Sequence, residues 1–310
     1  MTKVRHHYIP RFYLRGFTDL EKGNTVWVFD KDEENVFDAT PANIACEKHY
    51  HTFLLEDGEK DTETVENLYG IIETDTSAVI RKIHEGETLK QEDIAKFCTF
   101  ASSMMIRVPN HRNNIEKAIA DVMLKSQIML AKNKDAFEES YNRFIEKTGS
   151  DSDLTAEDIR QFVLKGEYTV KANPQVSLYF SIKSIEYIAE VFHKMNWMFV
   201  KSNDDHKFLT CDNPLFYFDP THDHNSFYGV GLMNKHIEVT LPLSQEICAY
   251  GSWGNPGQYN IVNGTSPIIK NINRRTVLAA KRFVFSSRYS DTLFKFAIKY
   301  KNSAPTLRVN

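Results

Sequence analysis

Two adjacent histidines near the start of the chain are the first residues whose types could do chemistry. His6 and His7 begin a stretch, residues 6–17, that also carries two arginines and several aromatic residues. Neutral imidazole is a common metal ligand and titrates near neutral pH, so the pair suits a metal site or a general base. Chain termini are usually disordered unless something holds them. We therefore expect this stretch to dock onto the body of the protein, either to build a site or simply to plug the fold.

A second candidate is the sequence Asp212-Asn213-Pro214, which follows an apolar run predicted to be a strand. Asp212 could bind a metal or orient a histidine, and Asn213 could position a substrate oxygen, so both are candidate catalytic residues. The structural alternative is a turn, because Asx residues before proline often form turns.

Basic residues form a third candidate, for substrate binding. Arg107 and Arg112 flank a predicted helix boundary, and Arg15 lies in the N-terminal stretch. Guanidinium groups bind phosphate in a bidentate manner. The Arg107-x-x-x-His111 spacing is shorter than the Arg-x4-6-His signature of HEPN ribonucleases, which disfavours that class. The structural alternative is an ion pair between Arg107 and a glutamate at position 66 or 73.

A divalent metal is the candidate cofactor, with His6, Asp212 and His49 as the predicted ligands. A histidine pair followed by a hairpin and a helix resembles the ββα-metal nucleases, in which Asn43, His49 or His51 would fill the later positions. The long separation from His7 to Asn43 and the short chain before His6 both depart from that pattern.

Composition excludes several classes. The formal net charge of −3 gives no overall basic surface for nucleic acid, although local patches remain open. Four dispersed cysteines form no CxxC pair, and no apolar run reaches membrane-spanning length. The sequence contains no Walker loop, GxGxxG, GxSxG or HExxH motif. We therefore expect a cytoplasmic protein that does not bind membranes.

Hydrophobic periodicity predicts an α+β fold with an N-terminal hairpin segment, a helical middle and a mainly antiparallel C-terminal sheet. We expect one domain over residues 1–310, with a docking stretch and hairpin in 1–60, helices in 61–197 and sheet in 198–310. A helix start is predicted at Thr40-Pro41, and capping boxes at Thr88-x-x-Gln91 and Thr155-x-x-Asp158.

Several motifs together resemble the uncharacterised, mainly bacterial family catalogued as domain of unknown function 4238. The matching motifs are His6-His7-x-x-Pro10-x-x-Tyr13-Leu14-Arg15-x-Phe17, Asn43-Ile44-Ala45-x-Glu47-Lys48 with Tyr50, Arg107-x-Pro109, Thr210-x-Asp212-Asn213-Pro214, Leu241-Pro242-Leu243-Ser244 and Ala280-x-Arg282. The resemblance spans nearly the whole chain and implies one coherent domain whose site is drawn from several segments. It implies no reaction. Cys211 departs from the pattern, in which a serine is expected.

Three functional hypotheses follow. The first is a phosphodiesterase or nuclease, metal-dependent in one version, acting on nucleic acid or a nucleotide and serving in defence against phage or plasmids. The second is a non-catalytic binding or regulatory protein in which the N-terminal stretch is a plug. The third is a toxin that transfers a group from a nucleotide such as NAD, for which the sequence offers no phosphate-binding loop. Burial of His6 and His7 would favour the plug, whereas an open cleft around them would favour the enzyme.

Overall fold

The N-terminal stretch is folded into the body of the protein in the computed structural model, which describes residues 5–19, 22–150, 153–222, 230–254 and 259–306. Arg5–His7 forms strand β1, and helix α1 (Arg11–Arg15) follows after Pro10. The aromatic side chains of Tyr13 and Phe17 are fully buried. The predicted docking of this stretch is confirmed.

The remaining elements form three consecutive blocks along the chain: strands, then helices, then mainly strands. The strands before the helical block are β2 (Val26–Asp30), β3 (Asn35–Ala39), β4 (Cys46–Lys48), β5 (Phe53–Leu54) and β6 (Lys60–Asp61). The helices of the middle block are α2 (Thr64–Glu85), α3 (Gln91–Ile106), α4 (Pro109–Lys132), α5 (Lys134–Thr148), α6 (Ala156–Lys165) and α7 (Pro174–His193). The last block contains β7 (Asn196–Lys201), β8 (Thr210–Cys211), β9 (Phe216–Phe218), β10 (Glu238–Pro242), β11 (Ile247–Ser252), β12 (Asn260–Asn263), α8 (Ser266–Ala279), β13 (Phe283–Ser286) and α9 (Asp291–Lys299). This order confirms the predicted α+β class.

The chain divides into two compact units. The larger contains the described residues up to Arg112 together with Leu178–Thr306, and the smaller contains Asn113–Ser177. The smaller unit has its own apolar cluster, centred on Ala131, Phe137 and Val163. The prediction of a single domain over residues 1–310 stays a prediction, because compact units and independently folding domains are different properties.

Two sheets and the α2–α3 pair build the larger unit. One sheet has the strand order β3-β2-β13-β8, and the other has the order β12-β7-β11-β10-β9. The predicted hairpin of β2 and β3 is confirmed, with Val28 opposite Phe37. Neighbouring strands in both sheets run antiparallel, apart from β12, which is parallel to β7. The mainly antiparallel sheet is therefore also as predicted.

The predicted helix start at Thr40-Pro41 is wrong. Asn43 N–H donates to the Thr40 carbonyl over 2.9 Å, which closes a turn instead. Ala45 and His49 then adopt left-handed φ values of 54° and 56°, which a continuing right-handed helix does not allow. The residues between them form β4, because they pair antiparallel with β1. A tertiary contact with the N-terminus therefore overrides the local helix signal.

Helix boundaries otherwise follow the sequence signals, with one exception. α3 ends before Pro109, as predicted, and Thr155 with Asp158 forms the predicted capping box. The box predicted at Thr88 is wrong, since α3 begins at Gln91 and Asp93 accepts the N–H of Lys90 over 2.9 Å. None of the helices in the described part of the chain combines the length and apolarity that a membrane crossing needs.

Two elements of the last block were not predicted. β12 pairs with β7, and α9 packs near the C-terminal end of the described residues. Asn263 ends β12, and a Cβ on the following Gly264 would come within 2.7 Å of the Lys201 carbonyl oxygen. Only glycine permits this close approach, which sets the path from β12 into α8.

Candidate functional site around His51

His51 is the centre of a buried polar cluster in the larger unit. It follows β4 in a turn closed by a 3.2 Å hydrogen bond from Thr52 N–H to the His49 carbonyl. Its residue surface is 1% exposed. The backbone N–H of His51 donates to His6 Nδ1 over 2.8 Å, and the two imidazole rings are stacked at 5.6 Å with an interplanar angle of 8°. Pairing of β1 with β4 therefore carries His6 onto His51.

A carboxylate fixes the protonation of the His51 ring. His51 Nδ1 lies 2.6 Å from Glu66 Oε1, on the first turn of α2. An ionised carboxylate can only accept, so Nδ1 carries the proton and Nε2 keeps its lone pair. Nε2 is buried and has no hydrogen-bond partner among the residues that the structure describes. His51 is therefore arranged as a base or as a ligand through Nε2.

Burial and hydrogen bonding set the charges of this dyad. Burial lowers the pKa of His51 to about 4, although the hydrogen bond to Glu66 opposes the shift. Burial alone would raise the pKa of Glu66, but the hydrogen bond from His51 and nearby positive charge bring it below its usual value. At neutral pH the dyad is a neutral imidazole beside an ionised carboxylate.

Two tyrosines and two arginines surround the dyad. The rings of Tyr50 and Tyr69 each lie 4.9 Å from the His51 ring. The guanidinium of Arg112 lies 4.5 Å from the Tyr50 ring, and that of Arg107 lies 4.1 Å from the Tyr69 ring. Arg112 also donates to the Tyr50 carbonyl over 2.5 Å. Each arginine thus stacks on a tyrosine ring that in turn contacts the His51 ring. The arginine–tyrosine distances are typical of cation–π pairs.

Arg107 is committed to structural contacts. Its terminal nitrogens donate to Glu73 over 2.9 Å and to the His7 carbonyl over 2.7 Å, and its side chain is 2% exposed. The structural alternative, an ion pair with Glu73, is confirmed. One N–H group on each terminal nitrogen is therefore engaged in a structural contact, and the guanidinium is buried. Arg15, another of the three arginines predicted to contact phosphate, lies exposed in the last turn of α1.

His6 and His7 have different environments. His6 is fully buried, with Nδ1 accepting the His51 N–H, as described above. His7 is half-buried, with Nε2 3.2 Å from the Ala42 carbonyl oxygen, and desolvation lowers its pKa. These hydrogen bonds hold both rings within the fold, and neither ring lines an open cleft.

The Asp212-Asn213 turn lies in a different network. Asp212 accepts backbone N–H groups from Lys281, Arg282 and Phe283 at 2.8, 2.7 and 3.0 Å. Asn213 donates to the Ala279 carbonyl over 3.1 Å. Burial raises the pKa of Asp212 despite these three bonds. The pair joins β8 to the connection between α8 and β13, as the turn alternative predicted.

The predicted ligands His6, Asp212 and His49 are not brought together. His49 is exposed and its Nδ1 lies 3.2 Å from Thr52 Oγ1. Within the described residues, the side chains that do converge as potential ligands are His6, His51 and Glu66, whose nitrogen and oxygen atoms lie within 4.8 Å of one another. Metal binding at this cluster would use the histidine that the predicted ligand set omits.

Hydrogen bonds limit how this cluster could hold a metal. His6 Nδ1 is occupied by the His51 N–H, and the 2.6 Å separation of His51 and Glu66 is a proton-bridged contact. Two ligands of one tetrahedral metal, bound at about 2.0–2.1 Å, lie roughly 3.3 Å apart. The contacts instead fit a metal bound to His51 Nε2, with Glu66 accepting the Nδ1 proton and so orienting the ring. Metal-bound histidines are commonly supported in this way. That geometry supplies one ligand from these three residues.

A family model described as protein of unknown function (DUF4238) matches residues 5–290. The chain belongs to this family. The DUF4238 match includes His6, His51, Glu66 and both arginines of the cluster, as well as the Asp212 turn. No curated protein and no solved structure matches the chain.

Sequence reasoning named the members of this cluster without assembling them. His51 was considered only as a late position of a nuclease motif, and Glu66 as one of two glutamates that could pair with Arg107. The signal that could have singled out Glu66 is its place beside the buried stripe of α2, next to Val65 and three residues before Tyr69, both of which are 2% exposed. A carboxylate bordering such a stripe needs a buried partner.

Proposed function

We propose that this protein is a phosphodiesterase or nuclease in which His51 is the general base and Glu66 orients it. The observation that carries the proposal is the buried lone pair of His51 Nε2, which no described residue satisfies. Leaving a buried polar atom unsatisfied costs about 1–3 kcal/mol. His111 and His206 also have such a ring nitrogen among the described residues, but the His51 ring is the one that a carboxylate orients. A ligand, a substrate or a water molecule at Nε2 would remove that cost.

The chemistry follows from the dyad. A water molecule at Nε2 transfers its proton to His51 while its oxygen attacks the phosphorus atom. The imidazolium that forms is stabilised by the Glu66 carboxylate at Nδ1, and it then returns the proton to the leaving alkoxide. Arg112, whose guanidinium lies 4.5 Å from the Tyr50 ring, adds positive charge close to the dyad, which favours the negative charge that develops on the phosphoryl group. This charge is what supports a phosphodiester over a neutral substrate.

Substrate access requires a segment to open, because His51 is 1% exposed. The segment that joins His51 to α2 is the hairpin of β5 and β6, which pair only through Phe53–Asp61 and Leu54–Lys60. Leu54 and Leu55, near the turn of this hairpin, have exposed fractions of 55% and 47%. An isolated two-stranded hairpin is marginally stable. In the proposed enzyme this hairpin opens to admit the scissile phosphate.

The second candidate function is a non-catalytic binding or regulatory protein in which the N-terminal stretch is a plug. Full burial of His6 and its hydrogen bond with His51 favour it. In this case the cluster ties β1, β4 and α2 together, and Arg107 serves as a clamp on the His7 carbonyl. We propose a cytoplasmic location for either function, whereas a role in defence against phage or plasmids belongs to the first proposal and depends on nuclease activity.

The test is cleavage of single- and double-stranded DNA and RNA and of a chromogenic phosphodiester, in EDTA and with added Mg²⁺, Mn²⁺ or Zn²⁺. Elemental analysis of the same untagged sample measures bound metal. We expect cleavage by the wild type, loss of about 10²–10⁴-fold in His51→Gln, and little change in the exposed neighbour His49→Gln. Activity in EDTA would show that the reaction needs no divalent metal. Metal-dependent activity, together with bound metal that His51→Gln removes, would place the ion at His51 Nε2.

Two results would contradict the enzyme. One is a wild type inert on every substrate whose His51→Gln variant is only less stable, which would support the plug. The other is cleavage that survives both His51→Gln and the His6→Ala/His7→Ala double variant in folded protein. In that case the activity would belong to another part of the chain.

A further inference from the structure

A cavity lies in the larger unit, away from the His51 cluster, on the face of the five-stranded sheet that α8 covers. Its volume is about 320 Å³, and its walls are mostly apolar. Val262 of β12 and Ile268 of α8 line it and remain exposed, at 38% and 46%. Tyr250 of β11 adds an aromatic side chain to the lining. The site is thus a small, partly open pocket with uncovered apolar surface.

The polar groups of the pocket carry no net charge. Arg275 donates to Glu238 at 2.6 Å, and these two residues are the charged members of the lining. Because their charges cancel, the pocket offers little attraction to a phosphate, a carboxylate or a metal cation. Asn263 and Asn271 contribute amide groups, each with donors and an acceptor.

Size and chemistry together restrict the ligand. Pockets for small molecules usually span about 300–1,000 Å³ and combine apolar walls with a few polar groups. A volume at the lower end excludes a polymer or a long lipid, and apolar walls disfavour a sugar, whose surface is polar on all sides. Asparagine amides can pair with the donor and acceptor edge of a planar base, and a tyrosine ring can stack on its face.

We propose that this pocket binds a small neutral heteroaromatic molecule of the nucleobase class. The ring lies against Tyr250 and between Val262 and Ile268, and its polar edge meets the asparagine amides. The proposal does not depend on His51, because none of the residues that line the pocket belongs to the His51 cluster. A protein that fails every nuclease assay can therefore still bind a base here, and the reverse also holds.

The experiment is calorimetric titration of the full chain with adenine, hypoxanthine, cytosine and uracil, and with the corresponding nucleosides and 5′-monophosphates. Thermal unfolding is measured in parallel. We expect saturable one-to-one binding of at least one base and a higher Tm in its presence. The monophosphate should bind no more tightly than the nucleoside, because the pocket is neutral.

Matched variants locate the site. Ile268→Trp fills the pocket and should abolish binding, whereas Lys270→Trp places the same side chain on an exposed position of α8 and should leave it unchanged. Asn271→Ala, also at an exposed position, should weaken binding about tenfold without altering the fold. The proposal is overturned if no base binds up to its solubility limit, or if binding persists in both Ile268→Trp and Asn271→Ala.

Discussion

The hydrogen bond of 2.6 Å between His51 Nδ1 and Glu66 Oε1 decides which nitrogen of the ring can react. It joins the turn after β4 to the first helix of the middle block, two segments that the β5–β6 hairpin separates along the chain. The buried Nε2 is left with its lone pair. Removing the carboxylate should therefore affect both the chemistry and the packing of the larger unit.

Glu66→Gln should lower any hydrolytic activity by about 10²–10⁴-fold, because the amide removes the charge that stabilises the imidazolium and permits the wrong tautomer. Glu63→Gln is the matched control, since Glu63 is exposed at the start of the same helix. The measurements are the cleavage rate and the nitrogen chemical shifts of the His51 ring. Unchanged activity with an unchanged Nδ1–H tautomer would contradict the role given to Glu66.

Stability should fall on mild acidification because of His51. Its pKa is about 4 in the folded protein, against about 6.5 when unfolded, so the unfolded state binds the proton first as the pH falls. The contribution is fully present above pH 6.5 and is lost progressively down to pH 4. It amounts to about 3 kcal/mol. The depressed pKa of Glu66 adds a loss in the same direction at lower pH.

Urea unfolding at several pH values between 7.5 and 4 measures this dependence. His51→Gln should flatten it, and His49→Gln, at an exposed position, should not. His111, whose pKa burial also lowers to about 4, contributes a separate share that His111→Gln would reveal. A pH dependence identical in wild type and His51→Gln would contradict the assigned burial of a neutral imidazole.

Local signals predicted most of the fold, and long-range pairing accounts for the errors. The breaks before Pro109 and the hairpin of β2 and β3 depend on neighbouring residues, so the sequence alone specifies them. The helix expected at Thr40 fails because β4 pairs with β1, about forty residues away. β12 was missed for the same reason, since a short strand at the edge of a sheet is defined by its partner β7.

The candidate site was harder to predict than the fold. The N-terminal histidines were located correctly as part of a docked segment, but the dyad uses His51 and Glu66, whose contact depends on the course of the loop between them. Asp212 was a plausible ligand by type and position. Its role is defined by three backbone N–H groups of the segment that enters β13, Lys281 to Phe283, which is distant in the sequence.

Asp212→Asn should destabilise the fold rather than remove a catalytic group. An asparagine cannot accept three N–H bonds in the same geometry without turning its own NH₂ towards one of them. We expect a loss of about 1–3 kcal/mol in the free energy of unfolding, measured by urea denaturation. Asp204→Asn, at an exposed position, serves as the control. Full stability combined with lost cleavage would restore Asp212 as a catalytic residue.

Arg107→Ala should be the most damaging single change in the cluster. It would leave the Glu73 carboxylate and the His7 carbonyl without their donor, and it would remove the guanidinium from the Tyr69 ring. Breaking one partner of a buried ion pair costs about 3–5 kcal/mol, and the partial exposure of Glu73 places the expected loss near the lower value. Arg143→Ala, an exposed pair with Glu139, should cost less than about 1 kcal/mol.

A double-mutant cycle separates the ion pair from the contact with the N-terminal strand. If the charge pair dominates, Glu73→Gln should remove much of the penalty of Arg107→Ala, because no unpaired carboxylate then remains. If the bond to the His7 carbonyl dominates, the double variant should be as unstable as Arg107→Ala, and amide exchange in β1 should accelerate. If Arg107→Ala has wild-type stability and unchanged amide exchange in β1, the structural role given to Arg107 is contradicted.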